Sequence, residues 1–243
     1  MPIPQFSFQM SVTIVLPCYN PPSGWAEHII EVYKQLRDRI PEPIDLIIVR
    51  DGASTTVAPE SVALLQEQLP AFQFITYETN RGKGYAVREG VQRAQGEIIL
   101  YTDIDFPYDI PSILSIYEAL AGGFADVAVG VKNEDYYKHV PPIRRAISKN
   151  LRFIIGVFFS MPITDTQCGL KGFTKTVKPL FLRTQINRYL FDLEFIRNCF
   201  KSKEPVRVKA IPIQLNEDVT FRRMNYKILA SEVYSFLKLV IRG

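Results

Sequence analysis

Three stretches of the chain, SVTIVLPCY, IDLIIVRDG and EIILYTDID, carry apolar and β-branched residues at consecutive positions rather than at every second one. A strand with one wet face alternates, whereas a strand that is apolar on both faces has to be covered on both. Between these runs lie segments with helical spacing: WAEHIIEVYKQLRDRI, PESVALLQEQLP with proline at each end, and GKGYAVREGVQRAQG, opened by glycines. FQFITYE supplies a further strand ahead of the last of them. Strand, helix, strand, helix in this order predicts an α/β fold, a mostly parallel central sheet sandwiched between helices. Right-handed crossovers bring the carboxyl ends of the strands to one edge, where such sheets bind ligands.

The second half is less regular. ADVAVGVK predicts another strand, and PPIRRAISKNLRFIIGVFF a long helix that is basic at its start and apolar at its end. TDTQCGLKGFT reads as a loop entering a short strand, FDLEFIRNCFK as a helix, VRVKAIPIQL as a strand, and NYKILASEVYSFLKLVIRG as an amphipathic tail helix. With no repeat, low-complexity segment or flexible linker, the 243 residues are expected to form a single domain. At 47% hydrophobic the chain can build a substantial core, which excludes disorder. A net charge of +4, from 29 basic and 25 acidic residues, is too balanced for a nucleic-acid binder. The basic residues nevertheless cluster late, at Arg144, Arg145, Lys149 and Arg152 and again at Arg222, Arg223 and Lys227. Such a surface suits a phosphate-bearing ligand or an anionic membrane face. Cys18, Cys168 and Cys199 form no C-x-x-C pair, so neither a disulfide framework nor a zinc site is expected, and a reducing, cytosolic setting is. No signal peptide and no apolar run of about 18 residues is legible, which predicts a soluble or peripheral protein.

YTDID places Asp103 and Asp105 two positions apart at the end of the most apolar strand. Side chains two apart on a strand share a face, so both carboxylates are expected at the sheet edge, where they can approach one divalent cation. In NRGKGYAVREG, Gly82 and Gly84 flank Lys83 just before a helix; exposed N–H groups at a helix start favour phosphate, and the lysine adds a point charge. It is neither a Walker loop nor the G-x-G-x-x-G fingerprint, because Val87 occupies the third glycine's place. LPCYNP and RDGAS also end apolar strands in polar turn residues. For each motif alone a plain turn explains the residues as well; their convergence on one edge is what points to a site. His28 and His139 have no partner pattern, and the acids Asp192 and Glu194 at a helix start read as complements to its dipole.

Taken in order, LPCYNP, RDGAS, NRGKG, DID and DTQCGLKGF resemble the motif series of the family-two inverting glycosyltransferases of GT-A fold. The likeness spans residues 11 to 230, and the T-D-x-Q-C-G-x-K-x-F stretch with R-x-x-x-S-K in RRAISKN is most similar to the dolichyl- and polyprenyl-phosphate hexosyltransferases. The resemblance implies a nucleotide-binding half over about 11–110, an acceptor-binding half over 111–230 and a C-terminal helix over 226–243. It places Pro17, Tyr19 and Asn20 at the nucleobase and ribose, with Asp51 nearby, and Gly82, Lys83 and Gly84 along the ribose and diphosphate. Asp103 and Asp105 match the carboxylates that hold Mg2+ or Mn2+ and, through it, the donor. Asp165 and Gln167 flank the sugar; Lys132, Arg144 and Ser148 match the residues that grip an acceptor phosphate; Arg222 and Lys227 fall on a loop similar to the family's R-x-x-G-x-S-K.

The implied activity is transfer of a hexose from UDP-glucose or GDP-mannose to a polyprenyl or dolichyl phosphate. Alternatives are a relative that glycosylates a saccharide hydroxyl, in which case Asp165 is the first choice of base, or a sugar-nucleotide binder without turnover. The chain departs from the family pattern at Pro21, at Arg50 in place of one acid, at Pro107 where relatives carry a glutamine, and at Asn225 and Tyr226. The basic-then-apolar helix is compatible with peripheral membrane contact at a cytoplasmic face or with packing into the core. The tail helix is expected to pack or dimerise rather than anchor, so a homodimer or a membrane-anchored partner subunit are the associations considered.

Overall fold

The apolar runs form the middle of a seven-stranded sheet. The computed structural model describes residues 10–132, 142–159, 161–216 and 226–241. β1 (Val12–Cys18), β2 (Ile44–Asp51), β3 (Phe72–Tyr77) and β4 (Ile98–Tyr101) pair in parallel, in the order β3-β2-β1-β4. β5 (Val127–Lys132), β6 (Lys171–Thr174) and β7 (Val208–Ile213) extend the sheet in the order β4-β6-β5-β7. β6 runs antiparallel to both neighbours and β7 parallel to β5, so the sheet is mostly parallel, as expected.

The missing alternation has a direct explanation in the packing. Ile14, Leu16, Leu46, Ile48 and Leu100 enter one core with α1 (Trp25–Arg37), α2 (Pro59–Gln68) and α4 (Ile110–Ala121). Their neighbours Val15, Ile47, Val49, Ile99 and Tyr101 enter a second core, on the opposite face. That core takes in α3 (Lys83–Arg93), α6 (Lys178–Leu182) and α7 (Phe191–Phe200), and it receives Ile155 of α5 (Pro142–Phe159) and Leu239 of α8 (Tyr226–Ile241). Both faces are dry, so the central positions Ile14–Leu16 of β1, Leu46–Val49 of β2 and Ile98–Leu100 of β4 are apolar without alternation.

The sequence reading passes over α4. Its markers are local: Asp109 caps it by accepting from Ser112 N at 3.0 Å, and Pro111 sits in its first turn. α4 buries Ile113, Ile116, Tyr117 and Leu120, and its other apolar residues blur the stripe that spacing arguments need. α8 is the predicted tail helix; its Phe236 meets Phe158 and Phe159 of α5, ring centroids 5.9 and 5.6 Å away. Among the described residues, no helix is long and apolar enough to cross a membrane.

Candidate active site

The carboxyl ends of β1, β2 and β4 meet the first turn of α3. Asp51 closes β2 and is 3% exposed, so its carboxylate needs donors. It has three: Tyr77 Oη at 2.9 Å, Arg81 N at 2.7 Å and Gly82 N at 2.8 Å. Burial, then the Asp51 charge, drives the Tyr77 phenol far above its ordinary range, so it stays a donor. Asp51 therefore faces inward and fastens the loop entering α3. Gly82 adopts φ 105°, and a Cβ there would strike the Asn187 carbonyl, which explains the glycine. Of the other residues expected at the nucleobase, Pro17 is buried within β1, Tyr19 is exposed, and Asn20 takes φ 48° with its Oδ1 accepting from Ser54 Oγ at 2.8 Å.

Lys83 and Asp103 come together: Nζ donates to Oδ1 at 2.6 Å. Burial disfavours the ammonium, but Asp103 and then Asp192 outweigh it, and the pKa of Lys83 is raised. Gly84 packs under the same turn, where a Cβ would lie 2.7 Å from Ile186 O and from Phe191 Cβ. The route by which the D-x-D motif reaches the edge differs from expectation. β4 ends at Tyr101, and Asp103–Phe106 form a turn closed by Phe106 N donating to Asp103 O at 3.0 Å, with Phe106 at φ 40°. A turn, rather than strand alternation, presents Asp103 and Asp105.

Lys132 at the end of β5 and Asp165 also find each other. The Asp165 carboxylate accepts from Lys132 N at 2.8 Å and from Lys132 Nζ at 3.0 Å. Asp165, buried, thus pairs with Lys132 through both oxygens. Gln167, half-buried, donates to Thr166 Oγ1 at 3.4 Å. Ser148 is half-buried on α5. The side chains of Arg144 and Lys227, and the whole of Arg222, lie outside the described residues. Beside Thr164, a shallow, widely open groove of about 570 Å³ is lined by Lys149, Arg152, Phe153, Gly156 and Val157 of α5.

Two acids carry more than the helix start predicted for them. Asp192 is buried and pairs with Lys171 Nζ at 2.9 Å, while Tyr101 Oη donates to it at 2.6 Å. Lys171 also donates to the carbonyl of Cys168, tying the Asp165 loop to α7. Glu194 Oε2 accepts from Gln185 N and Ile186 N, both at 2.8 Å. The signal available in the sequence was the pairing of two acids with an apolar helix that has little solvent face to hold them.

The residues fit a divalent cation of the Mg2+ or Mn2+ kind. Asp103 and Asp105 offer hard oxygen donors. A Cβ at Gly169 would strike Asp103 Oδ2, so glycine there makes room for this carboxylate. Among the described residues, no group of three or more His, Cys, Asp or Glu is placed to hold a metal ion. The protein thus supplies two carboxylates, and the shell would need ligand oxygens and water.

The description Glycosyl transferase family 2 belongs to the family model that matches residues 13–177. The dolichyl-phosphate beta-glucosyltransferase of Saccharomyces cerevisiae is 23% identical over 229 residues, covering 86% of this chain and 68% of that protein. The human protein of the same name is 24% identical over 248 residues, covering 88% and 75%. The chain thus spans about two thirds to three quarters of the length of these relatives. Among solved structures, glucosyl-3-phosphoglycerate synthase from Mycobacterium tuberculosis with Mn2+, UDP and its glucosylated product aligns with TM-score 0.60 at 14% identity, over 91% of this chain and 75% of that one. Mannosyl-3-phosphoglycerate synthase from Rubrobacter xylanophilus aligns with TM-score 0.66 at 17% identity, over 96% and 73%. The sheet, the edge site and the match over most of its length make the chain a glycosyltransferase that belongs to glycosyl transferase family 2.

Proposed function

We propose that the protein transfers glucose from UDP-glucose to a dolichyl or related polyprenyl phosphate. The observation that carries the choice of acceptor is the α5 groove. Lys149 and Arg152 give it positive charge, Phe153 and Val157 give it apolar wall, and Thr164 connects it to the Asp165–Lys132 pair. A lipid phosphate joins an anion to a hydrocarbon chain, which is what such a groove accommodates; a saccharide offers neither. Phe153, Val157 and Phe158 of α5 and Leu237 and Ile241 of α8 are exposed, consistent with this side resting on a membrane surface. The names of the relatives support glucose and dolichyl phosphate, and the UDP complexes of the solved neighbours support uridine.

In this reading Tyr19 and Asn20 lie by the nucleobase, and Lys83 neutralises the diphosphate, helped by the N–H groups of the first turn of α3. Asp103 and Asp105 would hold the divalent cation, which supplies Lewis-acid stabilisation of the leaving diphosphate. An acceptor phosphate oxygen forms the new bond to the anomeric carbon as the bond to UDP breaks on the opposite face, and the electron pair leaves with UDP. A phosphate is already an anion, so no base is needed. Asp165 then serves as the positioning residue for Lys132, which meets the acceptor phosphate.

The test is glucose transfer from UDP-glucose to dolichyl phosphate in vesicles with Mn2+. Asp105→Ala and EDTA are each expected to abolish transfer. Lys132→Ala is expected to raise KM for dolichyl phosphate about tenfold or more while leaving KM for UDP-glucose within about twofold, the effect of losing one charge-assisted contact. Activity that persists in EDTA counts against the metal role; equal loss for donor and acceptor undoes the assignment of Lys132.

A further inference from the structure

Residues 183–190, between α6 and α7, form a loop tethered from several sides. Beyond its two bonds to Glu194, it receives Tyr85 N on Asn187 O at 3.1 Å. Arg88 donates to Thr184 Oγ1 at 3.3 Å and to Ile186 O at 3.0 Å. Glu232 Oε2 of α8 accepts from Leu190 N at 2.8 Å. A surface loop usually leaves its backbone to water; this one is bound by α3, α7 and α8 together.

The tethering presents one side chain. The loop runs against the first turn of α3, with Asn187 O at the place a Gly82 Cβ would take and Ile186 O and Phe191 Cβ at the place of a Gly84 Cβ. Tyr189 lies in the chain between the residues that touch Gly82 and Gly84, the two glycines that flank Lys83. Leu190 and Phe191 turn into the core, whereas Tyr189 is 48% exposed. Of the exposed large aromatics among the described residues, Tyr19 follows β1, and Tyr189 lies in the loop that runs against the first turn of α3. An exposed aromatic ring on a fixed backbone is a binding surface in waiting, since desolvating it needs no ordering of the loop.

We propose that the Tyr189 ring is the platform for the donor's hexose, resting on the reading of this edge as a sugar-nucleotide site. A sugar nucleotide is linear: base, ribose, diphosphate, hexose. With the base at Tyr19 and Asn20 and the diphosphate at Lys83 and the D-x-D turn, the hexose falls beyond Lys83, on the side of the 183–190 loop. A hexose is apolar on the faces where its C–H groups point and polar at its rim, which complements a tyrosine ring whose face is apolar and whose tip is wet.

The test compares the wild-type protein, Tyr189→Ala and Tyr189→Phe in calorimetric titrations with UDP-glucose and with UDP, each with Mn2+. Loss of the ring is expected to weaken UDP-glucose about five- to tenfold, the size of one aromatic contact, and to leave UDP within about twofold. Tyr189→Phe is expected to bind both probes as the wild type does. Equal weakening of UDP and UDP-glucose, no change for either, or a Phe variant as impaired as the Ala variant overturns the proposal. Wild-type protein that binds neither probe overturns the sugar-nucleotide reading beneath it as well, so the two failures are distinguishable.

Discussion

Lys171 has no exposure to solvent, and its charge is balanced by Asp192 at 2.9 Å. Removing one partner of such a pair strands the other charge in the core, which typically costs about 3–5 kcal/mol, whereas replacing both by apolar groups is often neutral. Asp192→Ala is therefore expected to lose about 3–5 kcal/mol in urea denaturation, and Asp192→Leu combined with Lys171→Met to lose clearly less. A single variant no less stable than the double would mean that the pair does not carry this charge balance. None of this was legible locally. An acid at a helix start reads as a complement to the dipole; its partners Lys171 and Tyr101 lie far upstream, and only the fold brings Tyr101 Oη to 2.6 Å. Asp103 and Lys83, by contrast, stood out as candidates because each lies inside a short motif at a strand or helix end.

Helix α3 is the element that sets the depth of the site, since its first turn carries Lys83. It lies close to the sheet because Gly90 faces β1 and β2; a Cβ there would strike Val15 Cγ1 and lie 3.2 Å from Val49 Cγ2. Two effects oppose each other at this position. Alanine is the better helix former by about 1 kcal/mol, while overpacking a close contact costs about 1–3 kcal/mol. With both contacts made by β-branched side chains held in strands, overpacking is expected to win, and Gly90→Ala should lower stability in urea denaturation, against the propensity scale. A stabilised variant would show that α3 shifts outward freely, and the position of Lys83 would then not depend on this packing. Elements with a strong two-sided or one-sided pattern were readable from the sequence. α4 was missed because its apolar residues spread beyond one stripe, and the D-x-D geometry because a turn followed the strand directly.

Across the whole molecule, Cys18, Cys168 and Cys199 are all buried and in no disulfide. Burial pushes the Cys199 thiol from 9.0 to about 12 and raises that of Cys168 as well. A thiol whose folded pKa is raised favours the folded state fully below its unfolded pKa, and that contribution is lost as pH climbs toward the folded value. Stability is thus expected to fall between pH 9.0 and about 12. Urea midpoints measured at pH 8, 9 and 10 should decline, and Cys199→Ala should flatten the decline; an identical slope in the variant would remove Cys199 as the cause. The same burial shields the thiols from a disulfide reagent at pH 8 until the chain unfolds.

What the amino-acid order determined unaided is the class of fold and the edge that carries the candidate site. Both follow from local pattern: strands apolar on two faces demand helices on both sides, and glycines, lysine and acids at their ends mark the edge. What only the folded chain decided is which groups face each other. Asp51 turns inward to hold a loop, Asp165 clasps Lys132, Asp192 answers Lys171, and residues 186–191 run against the glycines that flank Lys83. Those pairings depend on distances between residues far apart in the chain, and electrostatics and sterics act through such distances rather than through sequence separation.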